Sequence, residues 1–242
     1  SEIAAGTVFG LLLSALSEAL GLDGRFVFGA AAGALVADQL LLNGVAAELA
    51  SRAVRPGYGK TVREHEAGHF LIAYLLGLPV EACLLDVWAA ARDGRFKGAA
   101  GTVFLDPGLG RAMESGKVTR EIIDRYSVVV MGGIAAEAAQ NGRAEGGQAD
   151  EAALVELLGS LGGGAAWDGE RVRNQARWAS SQALLLLREH GKAYQALCDA
   201  LERGEGVGGC VVAIEAAIDE SFGRNGELPA QTRASPNPNP NP

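Results

Sequence analysis

The chain has 242 residues, 48% hydrophobic and 21% charged, enough apolar material to bury a sizeable core. Its formal net charge of −8 comes without a cluster of Lys and Arg, which argues against gripping nucleic acid through its phosphates. Three widely spaced cysteines, Cys83, Cys198 and Cys210, form no C-x-x-C pair. They suggest neither a zinc ribbon nor a disulfide framework, but buried or idle thiols in a reducing compartment.

Two apolar runs open the chain, Ile3 to Leu20 and Phe26 to Leu42, separated by the turn signal Leu22-Asp23-Gly24-Arg25. They read as a helical hairpin over residues 1–44. Gly6 with Gly10, and Gly29 with Gly33, have the spacing that lets apolar helices approach closely. The favoured reading is membrane association through residues 3–42, with Arg52, Arg55, Lys60 and Arg63 on the retained side. The competing reading is a buried helical pair, because both runs are short for a span and each carries an acid.

Residues 45–59 read as a connector, and a main domain over 60–225 follows. Lys60 to Leu76 has helical period and stops at Gly77 and Pro79. Val80 to Ala89 and Ala99 to Leu105 read as strands joined through Arg92-Asp93-Gly94-Arg95. A single long helix is expected over Val118 to Gln140. Helices are then expected at about Asp150 to Leu161, Asp168 to Glu189, Lys192 to Arg203 and Cys210 to Phe222. Residues 226–242 end in repeated Asn-Pro, which blocks helix and ladder alike and reads as a disordered leash. The expected fold is mainly α (α+β), with a small antiparallel β hairpin beside the helix that starts at Lys60.

Residues 65–69 are His-Glu-Ala-Gly-His. On a helix, positions i and i+4 share one face, so His65 and His69 can bind one zinc ion. Glu66 stands beside the same open position. There it can take a proton from an attacking water and later give it to a leaving amine. Only three histidines occur in the chain and two fall in this motif, which makes chance placement improbable. The third, His190, lies in a charged helix end and reads as a surface residue. A catalytic zinc wants a third protein ligand. With no other histidine nearby, the candidates are Glu137, Glu145, Asp150 and Glu151, and spacing does not choose among them.

These residues resemble the peptidase domain of the FtsH-type zinc metalloproteases over roughly residues 60–220. His-Glu-Ala-Gly-His is similar to that family's zinc helix. Gly101-Thr102-Val103-Phe104-Leu105 resembles its edge strand, Met131 to Glu137 its Gly-Gly-Arg-x-Ala-Glu segment, and Gly146 to Asp150 its Gly-Ala-x-x-Asp segment. The resemblance implies Asp150 as the third zinc ligand, and Gly101, Thr102, Val103 and Phe104 as the strand that holds an extended substrate peptide. Ile134 and Ala138 depart from the family pattern without removing a ligand. Gly57-Tyr58-Gly59-Lys60-Thr61 lacks the first glycine of a phosphate loop, since position 54 is Val54, so no nucleotide is expected.

A domain of this kind without its ATP-driven motor resembles the stand-alone FtsH-like peptidases of plant and algal chloroplasts. That implies a stromal or membrane-associated place, at the thylakoid or the inner envelope. The expected activity is zinc-dependent, ATP-independent endopeptidase cleavage of unfolded or loosened polypeptides. The alternative is a non-proteolytic scaffold subunit of a larger chloroplast membrane protein complex.

Overall fold

The computed structural model describes residues 2–41, 45–55, 57–96, 100–144, 146–161 and 167–225. In chain order the first elements are α1 (Glu2–Leu20), α2 (Gly24–Leu41), α3 (Val45–Val54), α4 (Tyr58–Leu75), β1 (Val80–Leu84), α5 (Val87–Arg92) and β2 (Gly101–Phe104). Then follow α6 (Pro107–Ser115), α7 (Arg120–Val130), α8 (Gly132–Asn141), α9 (Gln148–Ser160), α10 (Gly169–Glu189), α11 (Gly191–Glu202) and α12 (Val207–Asn225). The fold is mainly helical with one two-stranded antiparallel sheet. The chain forms two compact units. One takes the residues up to 56 together with 86–99, and the other takes 57–85 and everything from 100 onward.

In the first unit, the expected turn between the apolar helices is built by local hydrogen bonds. Ser17 Oγ donates to the Leu22 carbonyl at 2.7 Å, and Asp23 Oδ1 accepts from the Arg25 N–H at 2.9 Å. Asp38 is buried with Oδ1 accepting from the Ala46 N–H at 2.9 Å, which caps α3 where a connector was expected. The Gly-x-x-x-Gly spacing does not bring backbones together at Gly10, Gly29 or Gly33, since a Cβ at any of the three would meet nothing within 4 Å. Among the described residues no helix is long and apolar enough to cross a membrane. Asn43 and Gly44, the expected stop of the second run, lie outside the described residues.

The second unit is organised around α4. Its N-terminus follows Gly57, whose φ of 86° turns the carbonyl back to accept from Lys60 and Thr61 at 2.9 and 3.0 Å. Its end is the expected one: Gly77 at φ 72°, with the Leu78 N–H bonded to the Ala73 carbonyl at 2.9 Å. Phe70, Leu71 and Ile72 are fully buried, against a core that includes Val128, Val129, Met131, Leu154, Leu158, Leu197 and Ile214. Each such side chain contributes about 1.5–3 kcal/mol relative to exposure. That burial offsets the cost of holding Glu64, Glu66 and His69 inside on the same helix.

Three elements differ from expectation. Val87–Arg92 is a helix rather than the second half of a strand, because Asp86 Oδ1 caps it by accepting from the Ala89 N–H at 2.8 Å. The two strands therefore pair as expected but are joined by α5 instead of a tight turn. The long helix over Val118 to Gln140 is two helices, α7 and α8, bent at Met131 ahead of Gly132-Gly133. Pro107–Ser115 forms α6, which sequence periodicity missed. Asp106 caps it, Pro107 opens it and Gly116 closes it at φ 67°. Asp106 also takes a forked bond from Arg125 Nη2, 2.9 Å to each oxygen, which ties the end of β2 to α7. The Asn-Pro tail, Gly162 to Gly164 and Ala99 lie outside the described residues.

Candidate metal centre

His65 and His69 stand one turn apart on α4, and Asp150 enters from the first turn of α9. The His65 and His69 Nε2 atoms are 3.1 Å apart, and Asp150 Oδ2 lies 3.0 Å from the first and 3.4 Å from the second. A small divalent ion with tetrahedral ligands at about 2.0–2.1 Å would hold those ligands about 3.3 Å apart. The three donor atoms already sit at that spacing.

The other nitrogen of each imidazole is committed elsewhere. His69 Nδ1 lies 2.9 Å from the Val129 carbonyl oxygen, which can only accept, so Nδ1 carries the hydrogen. His65 Nδ1 lies 2.7 Å from Glu137 Oε1, and the second oxygen of that buried carboxylate accepts from the Gly146 N–H at 3.0 Å. With each Nδ1 so engaged, both rings aim Nε2 at the same point. Asp150 Oδ2 is buried there without an aligned hydrogen bond, although both imidazoles are within reach. Two ring nitrogens and a carboxylate oxygen converging on one point are what a cation satisfies, so the residues fit a metal ion.

Charge tells the same story. Burial alone would push His65 down, but the Asp150 and Glu137 carboxylates outweigh it and raise its pKa to about 10. His69 is raised too, against burial, by Asp150. Burial would raise Asp150, yet the two imidazoles hold it below the ordinary carboxylate range. Without a metal, a proton occupies the place of the cation.

Glycines make the arrangement possible. A side chain on Gly133 would run into the His65 imidazole. One on Gly146 would lie 2.6 Å from Glu137 Oε1, and one on Gly147, where φ is 94°, would strike Ile134. Ile134 therefore fills the space against the turn that launches Asp150 into the site.

Glu66 is buried next to the cluster. Burial raises its carboxyl pKa, while His69 and His65 oppose that rise. The arrangement could hold a metal ion, with a buried carboxyl beside it.

Of the four candidate third ligands, Asp150 joins the cluster. Glu137 instead supports His65 from behind, Glu151 is exposed on α9, and Glu145 lies outside the described residues. His190 sits at the α10–α11 junction and is not a member of the cluster. All three cysteines are free, with Cys198 and Cys210 buried and Cys83 partly so. Lys60 and Thr61 form the first turn of α4, where Lys60 Nζ lies 3.5 Å from Glu64. Gly101, Thr102, Val103 and Phe104 make up β2. Its register pairs Phe104 with Val80, Val103 with Ala82, Thr102 with Cys83 and Gly101 with Leu84, with an irregularity at Glu81. The roles of Glu137, the Val129 carbonyl and the Thr102 hydroxyl were not read from the sequence. The first could have been found by asking which acid serves the second nitrogen of a ligating histidine.

Comparison of the chain with protein-family models, curated proteins and solved structures gives no match.

Proposed function

We propose that the protein is a zinc-dependent endopeptidase of FtsH-like type that cleaves unfolded or loosened polypeptides. The observation that carries the reading is the convergence of His65 Nε2, His69 Nε2 and Asp150 Oδ2 within 3.4 Å, next to the buried carboxyl of Glu66. In this reading His65, His69 and Asp150 hold zinc, which when bound would acidify water and polarise a scissile carbonyl. Glu66 accepts the proton of the attacking water and returns it to the leaving amine. Burial raises its pKa above the ordinary carboxylate value, the direction that favours taking up a proton. Among the described residues β2 pairs only with β1, so an extended peptide can add to it along Gly101 to Phe104. The resemblance of the sequence motifs to the FtsH peptidase domain supports the same assignment. A plastid setting, stromal or at a membrane, belongs to the proposal on that resemblance alone, and fractionation of the source cells tests it.

The deciding experiment measures zinc per chain and cleavage of casein with and without a chelator. One zinc per chain is expected, with chelator-sensitive cleavage that Glu66→Gln lowers about 10²–10⁴-fold while zinc stays bound. Zinc without cleavage would favour the scaffold reading. Absence of zinc would sink the proposal.

A further inference from the structure

Thr102 has a hydrogen-bonding pattern that strand pairing does not require. Its Oγ1 lies 3.2 Å from the backbone carbonyl oxygen of Glu66, and 3.3 Å from Sγ of Cys83, its cross-strand partner on β1. The carbonyl can only accept, so the hydroxyl proton goes to Glu66, and the hydroxyl oxygen is left to accept from the thiol. Cys83 keeps its proton for this, since burial pushes the thiol up to about 12. The result is a directed chain from β1 through β2 to α4, and it ends on the residue that bears the candidate base.

We propose that Thr102 is a positioning residue that fixes the height of β2 against Glu66, and so the distance between a peptide paired along that strand and the base. The proposal rests on the peptidase reading. Its physical content is that the tie acts at one point. Strand pairing to β1, the zinc ligands and the Glu137 support of His65 do not depend on it. A misplacement of the order of 1 Å between base and reacting carbonyl costs roughly a hundredfold in rate. Thr102→Val is near-isosteric and removes the hydroxyl, both the donor to Glu66 and the acceptor of the Cys83 thiol.

Two readouts test it. In casein-derived fluorogenic peptide cleavage, Thr102→Val is expected to lower kcat roughly tenfold to a hundredfold, with KM and zinc content close to the parent's. Thr102→Ser should restore most of the loss. In the second, the chain is loaded with cobalt and its visible spectrum is titrated with a peptidyl hydroxamate, a probe that needs a carboxylate next to the metal to take up its proton. Glu66→Gln serves as the reference for losing that acceptor. Thr102→Val is expected to weaken hydroxamate binding at unchanged cobalt content, again rescued by serine. Unchanged kcat and hydroxamate affinity in Thr102→Val would overturn the proposal. So would a rise in KM alone, a parallel loss of metal, or failure of serine to rescue. If the parent chain cleaves nothing, the peptidase reading fails by itself, and the hydroxamate titration alone decides whether Thr102 positions Glu66.

Discussion

A histidine that is to bind a metal depends on the partner of its other nitrogen, and at the candidate ligand His65 that partner is Glu137. The 2.7 Å contact fixes the tautomer, aims Nε2 at Asp150 and raises the basicity of the ring. Glu137→Gln keeps the shape but exchanges a charged acceptor for a neutral amide that can present its N–H the wrong way. Zinc affinity is therefore expected to fall about 10–100-fold, measured by competition with a chromogenic chelator. Asp150→Ala removes a donor atom itself and should cost more than Glu137→Gln in the same assay. Equal losses would mean that Asp150 is not a ligand. At this scale the sequence was partly legible. His65, Glu66 and His69 announce themselves because a helix turn dictates their spacing. Asp150 and Glu137 do not, since they reach the centre from α9 and α8, and nothing in their local spacing distinguishes a ligand from its support.

Helix α4 crosses α8 so closely that side chains are excluded at the crossing. A Cβ on Gly68 would meet the Gly132 carbonyl oxygen, and would lie 2.7 Å from the Ala136 Cβ and 2.9 Å from the Gly132 carbonyl carbon. Backbone cannot swing aside as a flexible side chain can. Gly68→Ala should therefore destabilise the chain by about 1–3 kcal/mol, measured by urea unfolding without metal. Gly59→Ala is the matched control on the same helix. It has open space around it and no positive φ, so it should leave stability unchanged or raise it by up to about 1 kcal/mol. If both variants behave alike, close approach is not why Gly68 is there. The same geometry explains which elements the sequence disclosed. The periodic, glycine-terminated runs of α4, α10 and α11 were readable from local pattern. The break at Met131 and helix α6 were not. The first depends on packing of Gly132-Gly133 against α4, and the second on a capping aspartate, Asp106, that also has to bind Arg125.

Across the second unit, the cluster joins helices distant in sequence, so a metal there acts as a cross-link whose strength depends on pH. In the metal-free chain, His65 has its pKa raised from the ordinary imidazole range to about 10. A raised histidine stabilises the fold fully below its unfolded value near 6.5, and loses that contribution as pH climbs towards the folded value. Asp150, held low, has the opposite sign: its contribution is present above about pH 4 and lost only in acid. The metal-free chain should therefore be most stable between about pH 4 and 6.5 and weaken steadily above that. With zinc bound, the metal replaces the proton between Asp150 and the imidazoles, so this weakening disappears. Zinc must displace at least one proton when it binds, and each pH unit gained below 10 makes that easier by about tenfold. The gap in Tm between zinc-loaded and chelator-treated protein is thus expected to widen from pH 6.5 to pH 8.5. In the same range, calorimetric titrations in buffers of different ionisation enthalpy should register proton release. A constant gap with no proton release would mean that His65 is neutral in the metal-free fold, and that the Asp150–His65 contact is not a proton-sharing pair. Glu66 and Glu137 face the same cluster, so both tests should be repeated on Glu66→Gln. On the peptidase reading, that variant should leave the widening in place and remove cleavage.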